Sequence, residues 1–275
     1  MTARPTSGNG ADLEALQPEV GPAARRRLRI EIFIVLALSL GASAVYSVVA
    51  IVHDLVDLVV SNVAIADQTA SINPSLSTQE IFDLVYQLLG LAFGIAPVAL
   101  ALYLLWPAGH SPFTRIGLDT RRPKFDLGVG LLLVPIIGIP GIGLFLLGRA
   151  LGITVDLSTS GLGQYWWSIP ILVLSALRAA LVEEVIVVGY LFTRLRELGW
   201  RMWPMIVTSA LLRGSYHLYQ GIGAFAGNVA MGVLFGYVYA RWGRTMPLVV
   251  THFILDVASF VGYPLLAMWF PTLLN

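Results

Sequence analysis

The chain contains no cysteine. This excludes disulfides, thiolate nucleophiles and cysteine-ligated metals in one step. Charge is also scarce: only 12% of the 275 residues are Asp, Glu, Lys or Arg, against about a quarter in soluble domains. Long polar connections are missing too, and a soluble core of this size would need them between its helices. The net charge of +1 gives no basic face for a nucleic acid, so no nucleic-acid partner is expected. What remains is 57% hydrophobic, with a mean hydropathy of +0.78. The bilayer is the solvent this composition fits.

The pattern predicts an all-α, polytopic transmembrane bundle of about seven or eight spanning helices, each needing roughly 20 apolar residues. Residues 1–24, rich in Gly, Pro, Ala and small polar or acidic side chains, read as a disordered cytoplasmic tail; residues 25–275 form the bundle. Predicted spans are Ile30 to Val52, Ile81 to Trp106, Phe125 to Leu147, Tyr165 to Phe192, Met202 to Tyr219, Ile222 to Ala240 and Met246 to Val261, with Leu265 to Leu274 as an eighth. With a cytoplasmic N-terminus, 14 of the 17 basic residues fall in cytoplasmic segments, including Arg25, Arg26, Arg27 and Arg29, while Arg149 alone falls in an outer loop. This positive-inside bias predicts a multi-pass protein of the plasma membrane in that orientation.

Glu183, Glu184, Arg213, His217, His252 and Asp256 all lie within these apolar segments. Each such group costs roughly 2.5–3.5 kcal/mol at bilayer depth, so several together point to a cavity and a function. At a rise of about 1.5 Å per residue, Glu184, Arg213 and Asp256 lie about 14–15 Å from the cytoplasmic boundary, with His252 about 8 Å and His217 about 20 Å deep. Arg213 and His217 are four apart, as are His252 and Asp256, so each pair projects from one helix face. Adjacent Glu183 and Glu184 point about 100° apart, so one can face the cavity while the other pairs with an arginine such as Arg213. A carboxylate and two histidines supply a general base for water and enough ligands for a divalent metal. The same groups would also serve a transporter or proton relay, which leaves two classes of function open.

The order of these residues resembles the CPBP family of intramembrane proteases, which includes the CAAX proteases and bacteriocin-processing enzymes. That family carries Glu-Glu-x-x-x-Arg, Phe-x-x-x-His and His-x-x-x-Asn or Asp on three helices. Here Glu183 and Glu184 stand in LVEEVIVVGYL, His217 in LLRGSYHLYQG, and His252 with Asp256 in THFILD. The loop IGLDTRRP is also similar to a family feature. Two positions depart from the pattern: Val188 replaces the arginine of the first motif, and Arg213 replaces the phenylalanine of the second.

The resemblance implies an endopeptidase, with a protease-like core at 165–260, that cleaves a membrane-embedded or lipidated peptide or protein. It implies that Glu183 and His217 activate water, and that His252 and Asp256 hold the oxyanion. Glu184 belongs to the same catalytic set, and Arg213 becomes the relocated charge partner of the glutamates. Enzymes of this kind have been described both as metalloproteases and as metal-free glutamate proteases, so a Zn²⁺ held by Glu183, His217 and His252 is one reading and no cofactor the other. A catalytically inactive relative that binds membrane peptides is the third functional class.

Overall fold

The structure is a computed structural model that describes residues 21–61, 64–106, 109–158 and 160–265. The expected tail lies outside the described residues as far as residue 20, and so does the eighth span beyond Leu265. Helix α1 begins at Pro22 and runs to Ala37, with proline in the first turn, where its missing N–H costs nothing. Helix α2 follows at Leu40–Val60.

The predicted first span, Ile30 to Val52, is therefore corrected: the chain breaks at Leu38 and Ser39, and the apolar helix lies further on. The Ser39 hydroxyl donates back to the Val35 carbonyl at 2.6 Å. A Cβ at Gly41 would stand 2.6 Å from the Leu36 carbonyl oxygen, so the sharp turn requires glycine there. Glu31 also holds α1 at the bundle edge, through the contacts with Tyr190 and Arg194 described below.

Helices α3 (Glu80–Gly94) and α4 (Ala96–Leu104) form one apolar rod interrupted at Ile95. After the single turn α5 (Pro112–Arg115) comes α6 (Pro123–Ala150), which tolerates Pro135 and Pro140 in its interior. Helix α7 (Ser168–Glu183) continues through a π-helical segment, Glu184–Tyr190, into α8 (Leu191–Glu197). Helices α9 (Met202–Tyr216), α10 (Ile222–Trp242) and α11 (Met246–Val257) complete the bundle, the last running on through a second π-helical turn, Ala258–Gly262.

Five described helices are long and apolar enough to cross a membrane: Leu40–Val60, Glu80–Leu104, Pro123–Ala150, Ile222–Trp242 and Met246–Leu265. The architecture is thus that of an all-α integral membrane protein. The only described strands are β1 (Thr69–Ser71) and β2 (Asp156–Ser158), a parallel pair that joins the α2–α3 and α6–α7 connections. An antiparallel bridge from Thr154 to Gly221 fastens the latter connection to the start of α10.

The distribution of side chains is that of a membrane protein. Tyr46, Val59, Phe93 and Ile139 are 70% or more exposed, while Glu184 and Arg213 have no exposure at all. Lipid gives no hydrophobic drive between helices, so close packing and polar contacts must hold them. Gly232 of α10 meets α9 so closely that a Cβ there would lie 2.7 Å from the Ala210 Cα.

At one end of the bundle the IGLDTRRP loop is bound to the turn between α10 and α11. Thr245 donates its backbone N–H to the Ile116 carbonyl at 3.0 Å. Arg244 bonds Asp126 through Nε at 2.7 Å and Nη2 at 2.6 Å, and reaches both the carbonyl and Oδ1 of Asp119 at 2.9 Å.

Candidate active site

The site forms where α7 passes into the π segment and faces α9 and α11. A π turn bonds i to i+5 and commonly marks functional positions in helices. Its widened ladder leaves carbonyls that need other donors, and two hydroxyls supply them. Ser209 donates to the Val187 carbonyl at 3.0 Å, and Thr193 to the Gly189 carbonyl at 2.7 Å.

Six ionisable residues chosen from the sequence come together in one connected row. Arg213 is its centre: Nη1 donates to Glu183 Oε2 at 3.1 Å, and Nη2 to Glu184 Oε1 at 2.6 Å. The planar fork of a guanidinium explains how one cation engages two carboxylates on adjacent residues. Its face also lies over the Phe235 ring, 5.3 Å from the centroid. On one side of the row, His217 Nε2 stands 3.7 Å from Glu183 Oε1. On the other, His252 Nδ1 lies 2.7 Å from Glu184 Oε1, and its Nε2 lies 3.5 Å from Asp256 Oδ2.

The first-motif position that departs from the family pattern, Val188, is only 1% exposed and packs with Leu191, Phe192 and Phe235 in the apolar core. The cation has instead entered from α9. Helix α11, which carries His252, is held against α6 by the Thr251 hydroxyl, placed 3.0 Å from the Gly130 carbonyl.

One contact of the row has no counterpart among the residues singled out in the sequence. The Tyr216 hydroxyl donates to Glu183 Oε2 at 2.7 Å from a nearly buried position. Tyrosine in an apolar helix gives little signal, because its ring belongs there. Its place three residues after Arg213, on the same helix face, is the signal that was available. Glu183 Oε2 is thereby occupied by two donors, leaving Oε1 turned toward His217, whose side chain is the most exposed of this half of the row at 20%.

Ligand atoms of Glu183, Glu184 and His252 all lie within 4.8 Å of one another. This grouping contains Glu184 where the sequence reading placed His217, because His217 stands across Glu183 from the other two.

Residues 165–258 match the family described as Type II CAAX prenyl endopeptidase Rce1-like. That match supports a CAAX-protease family for this segment. Its bounds enclose α7, the π segment, α8, α9, α10 and α11, and with them every member of the ionisable row. No curated protein and no solved structure matches the chain.

Proposed function

We propose that the protein is an intramembrane endopeptidase in which Glu183 is the general base and His217 its partner in activating water. The observation that carries this reading is the unequal treatment of the two Glu183 oxygens. Oε2 is held by Arg213 and Tyr216, while Oε1 stands 3.7 Å from His217 Nε2. A water bridging those two atoms at about 2.8 Å from each would be polarised from both sides.

In the proposed reaction, water oxygen bonds to the scissile carbonyl carbon as its proton passes to Glu183. The resulting oxyanion is stabilised by the His252 Nε2–H beside Asp256, while His252 Nδ1–H is fixed on Glu184. The proton then moves from Glu183 to the departing amine nitrogen as the C–N bond breaks, and both peptide ends leave with complete valences. Arg213 neutralises the carboxylate pair and keeps Glu184 as the orienting partner of His252.

This reading needs no metal. Glu184 Oε1 already accepts from Arg213 and lies at hydrogen-bond distance, 2.7 Å, from His252 Nδ1. Tetrahedral zinc, with bonds of about 2.0–2.2 Å, would hold its ligand atoms roughly 3.4 Å apart. A dication would also stand beside a buried guanidinium that has no exposure. With Glu184 Oε1 so engaged, the proposed reaction is written as glutamate chemistry, and a divalent ion would have to take the other Glu184 oxygen together with Glu183 and His252.

The proposed substrate is a membrane-embedded or lipidated peptide. An apolar cleft of about 340 Å³ between α6 and α10, reaching Gln220 three residues past His217, would accept its apolar part. We also assign α7 to α8 and α9 as spans, which with the five apolar helices gives seven crossings. Arg115, Arg194 and Arg241 then mark the cytoplasmic side of the plasma membrane by the positive-inside rule.

The test uses membranes carrying wild type, Glu183→Ala or His217→Ala, with internally quenched peptides ending in a farnesylated CAAX sequence or its unprenylated twin. Wild type is expected to cleave with and without a chelator, and both variants to be silent. Cleavage that survives both substitutions would remove these residues from catalysis, and loss of wild-type cleavage on chelation would replace the metal-free mechanism.

A further inference from the structure

Helix α1 has no part in the chemistry, yet it carries the densest charge in the molecule. Arg25, Arg26, Arg27 and Arg29 are all exposed, and no acidic residue stands between Gly21 and Ile30. The first acid, Glu31, is already engaged: it accepts from the Tyr190 hydroxyl at 3.0 Å and from Arg194 Nε at 2.8 Å. The helix is not among the apolar spans, but Val35 is buried, and Ile32 and Leu36 pack onto the core. It is therefore pinned along the edge of the bundle with its cations outward.

Between α1 and the end of α4 lies an open cavity of about 640 Å³, with Arg27 and Leu28 on one wall and Tyr103 and Trp106 on the other. Its floor is electrostatically complete. Arg194 caps the Leu104 carbonyl at 2.5 Å and bonds Glu197 at 2.9 Å, and Arg115 caps the Leu105 carbonyl at 3.0 Å. Of the two arginines that line the cavity, Arg194 is bound in this way, and Arg27 makes no such bond among the described residues. Tyr103 and Trp106 are 72% and 64% exposed, and Phe33 of α1 is 72% exposed. Exposed Trp and Tyr beside arginine mark the level of lipid headgroups.

A ligand for this place must be anionic where it meets Arg27 and apolar where it meets Leu28 and Trp106. We propose that the cavity and the α1 arginines bind the headgroup of an anionic phospholipid. Clustered arginines next to a spanning helix are suited to this because each draws anionic headgroups independently. The site borders the catalytic helix as well: Glu31 bonds Tyr190, the last residue of the π segment that begins at Glu184.

The experiment is native mass spectrometry of the full-length protein in detergent, titrated with phosphatidylglycerol, phosphatidylcholine or inorganic phosphate. Binding is read directly, so the result is independent of proteolysis. Wild type is expected to retain phosphatidylglycerol and to shed the other two at equal concentration. The triple variant Arg26→Gln, Arg27→Gln, Arg29→Gln is expected to bind phosphatidylglycerol on the order of a hundredfold more weakly, about fivefold for each arginine. The matching triple lysine variant keeps the charge and is expected to retain most of the binding, which separates lost charge from lost folding. Equal retention of phosphatidylglycerol and phosphatidylcholine by wild type, or undiminished binding by the glutamine variant, overturns the proposal. Competition by inorganic phosphate at the same concentration as the lipid also overturns it, in favour of a simple anion site.

Discussion

Arg244 and Arg213 each hold a pair of carboxylates, and they do so differently. Arg244 spends Nε and Nη2 on Asp126 and Asp119, and Asp119 Oδ1 accepts in addition from the Arg121 backbone N–H at 3.0 Å. Arg213 binds Glu183 and Glu184 as tightly, yet its own Nε, the second oxygen of Glu184 and Nδ1 of His217 are buried without a hydrogen-bond partner among the described residues. Leaving a buried polar atom unpaired costs roughly 1–3 kcal/mol. A network that closes on itself holds the fold, joining a loop to a helical turn. One that keeps unused donors and acceptors, inside a row ending in two histidines, has capacity left for water and a peptide.

The sharpest way to break this comparison is Glu183→Gln. The amide keeps the shape and its oxygen still accepts from Tyr216, but an NH2 group stands where Oε1 was and cannot take a proton. Cleavage is expected to fall by about 10²–10⁴-fold, the usual worth of a general base, with thermal stability of the purified protein changed little. Residual cleavage near the wild-type rate would place the base elsewhere.

Arg213→Met tests the clamp itself. It abandons two buried carboxylates at once, and stability is expected to drop by about 3–5 kcal/mol. Adding Glu184→Gln should recover part of that loss by removing one uncompensated charge. Thermal unfolding of the single and double variants in the same detergent reads the difference, and a double variant less stable than the single would mean that Arg213 acts through packing on Phe235 instead.

Tyr216→Phe has a smaller expected effect. It deletes one hydrogen bond to a carboxylate, worth about 1.5–3 kcal/mol, and frees Oε2 to compete with Oε1 for the proton. A fall in cleavage of roughly tenfold or somewhat more follows, with the fold intact. Unchanged turnover would show that Arg213 alone is enough to select the reactive oxygen.

The row of ionisable residues was legible in the sequence because charge in an apolar helix is costly and therefore conspicuous. Glu183, Glu184, Arg213, His217, His252 and Asp256 stood out against their neighbours, and their i to i+4 spacing already set which face each pair shares. Depth estimates from helix rise placed most of them in one layer, and the connected row joins them. Less visible were features that hydropathy does not record. The break at Ser39 depends on a hydroxyl and a glycine, so the apolar run from Ile30 looked continuous. The π segment reads as ordinary helix, since Val187 and Ser209 are 22 positions apart and only their contact reveals the freed carbonyl. Tyr216 was hidden by belonging equally well to core and site.

The mildest variant probes the closed network. Burial pushes the Asp119 carboxyl up, but the Arg244 hydrogen bond, the Arg121 N–H and the charges of both arginines outweigh it and hold the group below the ordinary carboxylate range. A carboxyl lowered by folding contributes stability that is fully present above its unfolded value of about 4. That contribution is lost as pH falls through the lower folded value. Wild type should therefore lose melting temperature on the acid side, below about pH 4, more steeply than Asp119→Asn, which has no proton to take up there. At neutral pH the variant should melt slightly lower than wild type and cleave at nearly the same rate. If Asp119→Asn instead silenced cleavage while its melting curve matched wild type, the closed network would share in the chemistry, and the distinction between the two arginines would fail.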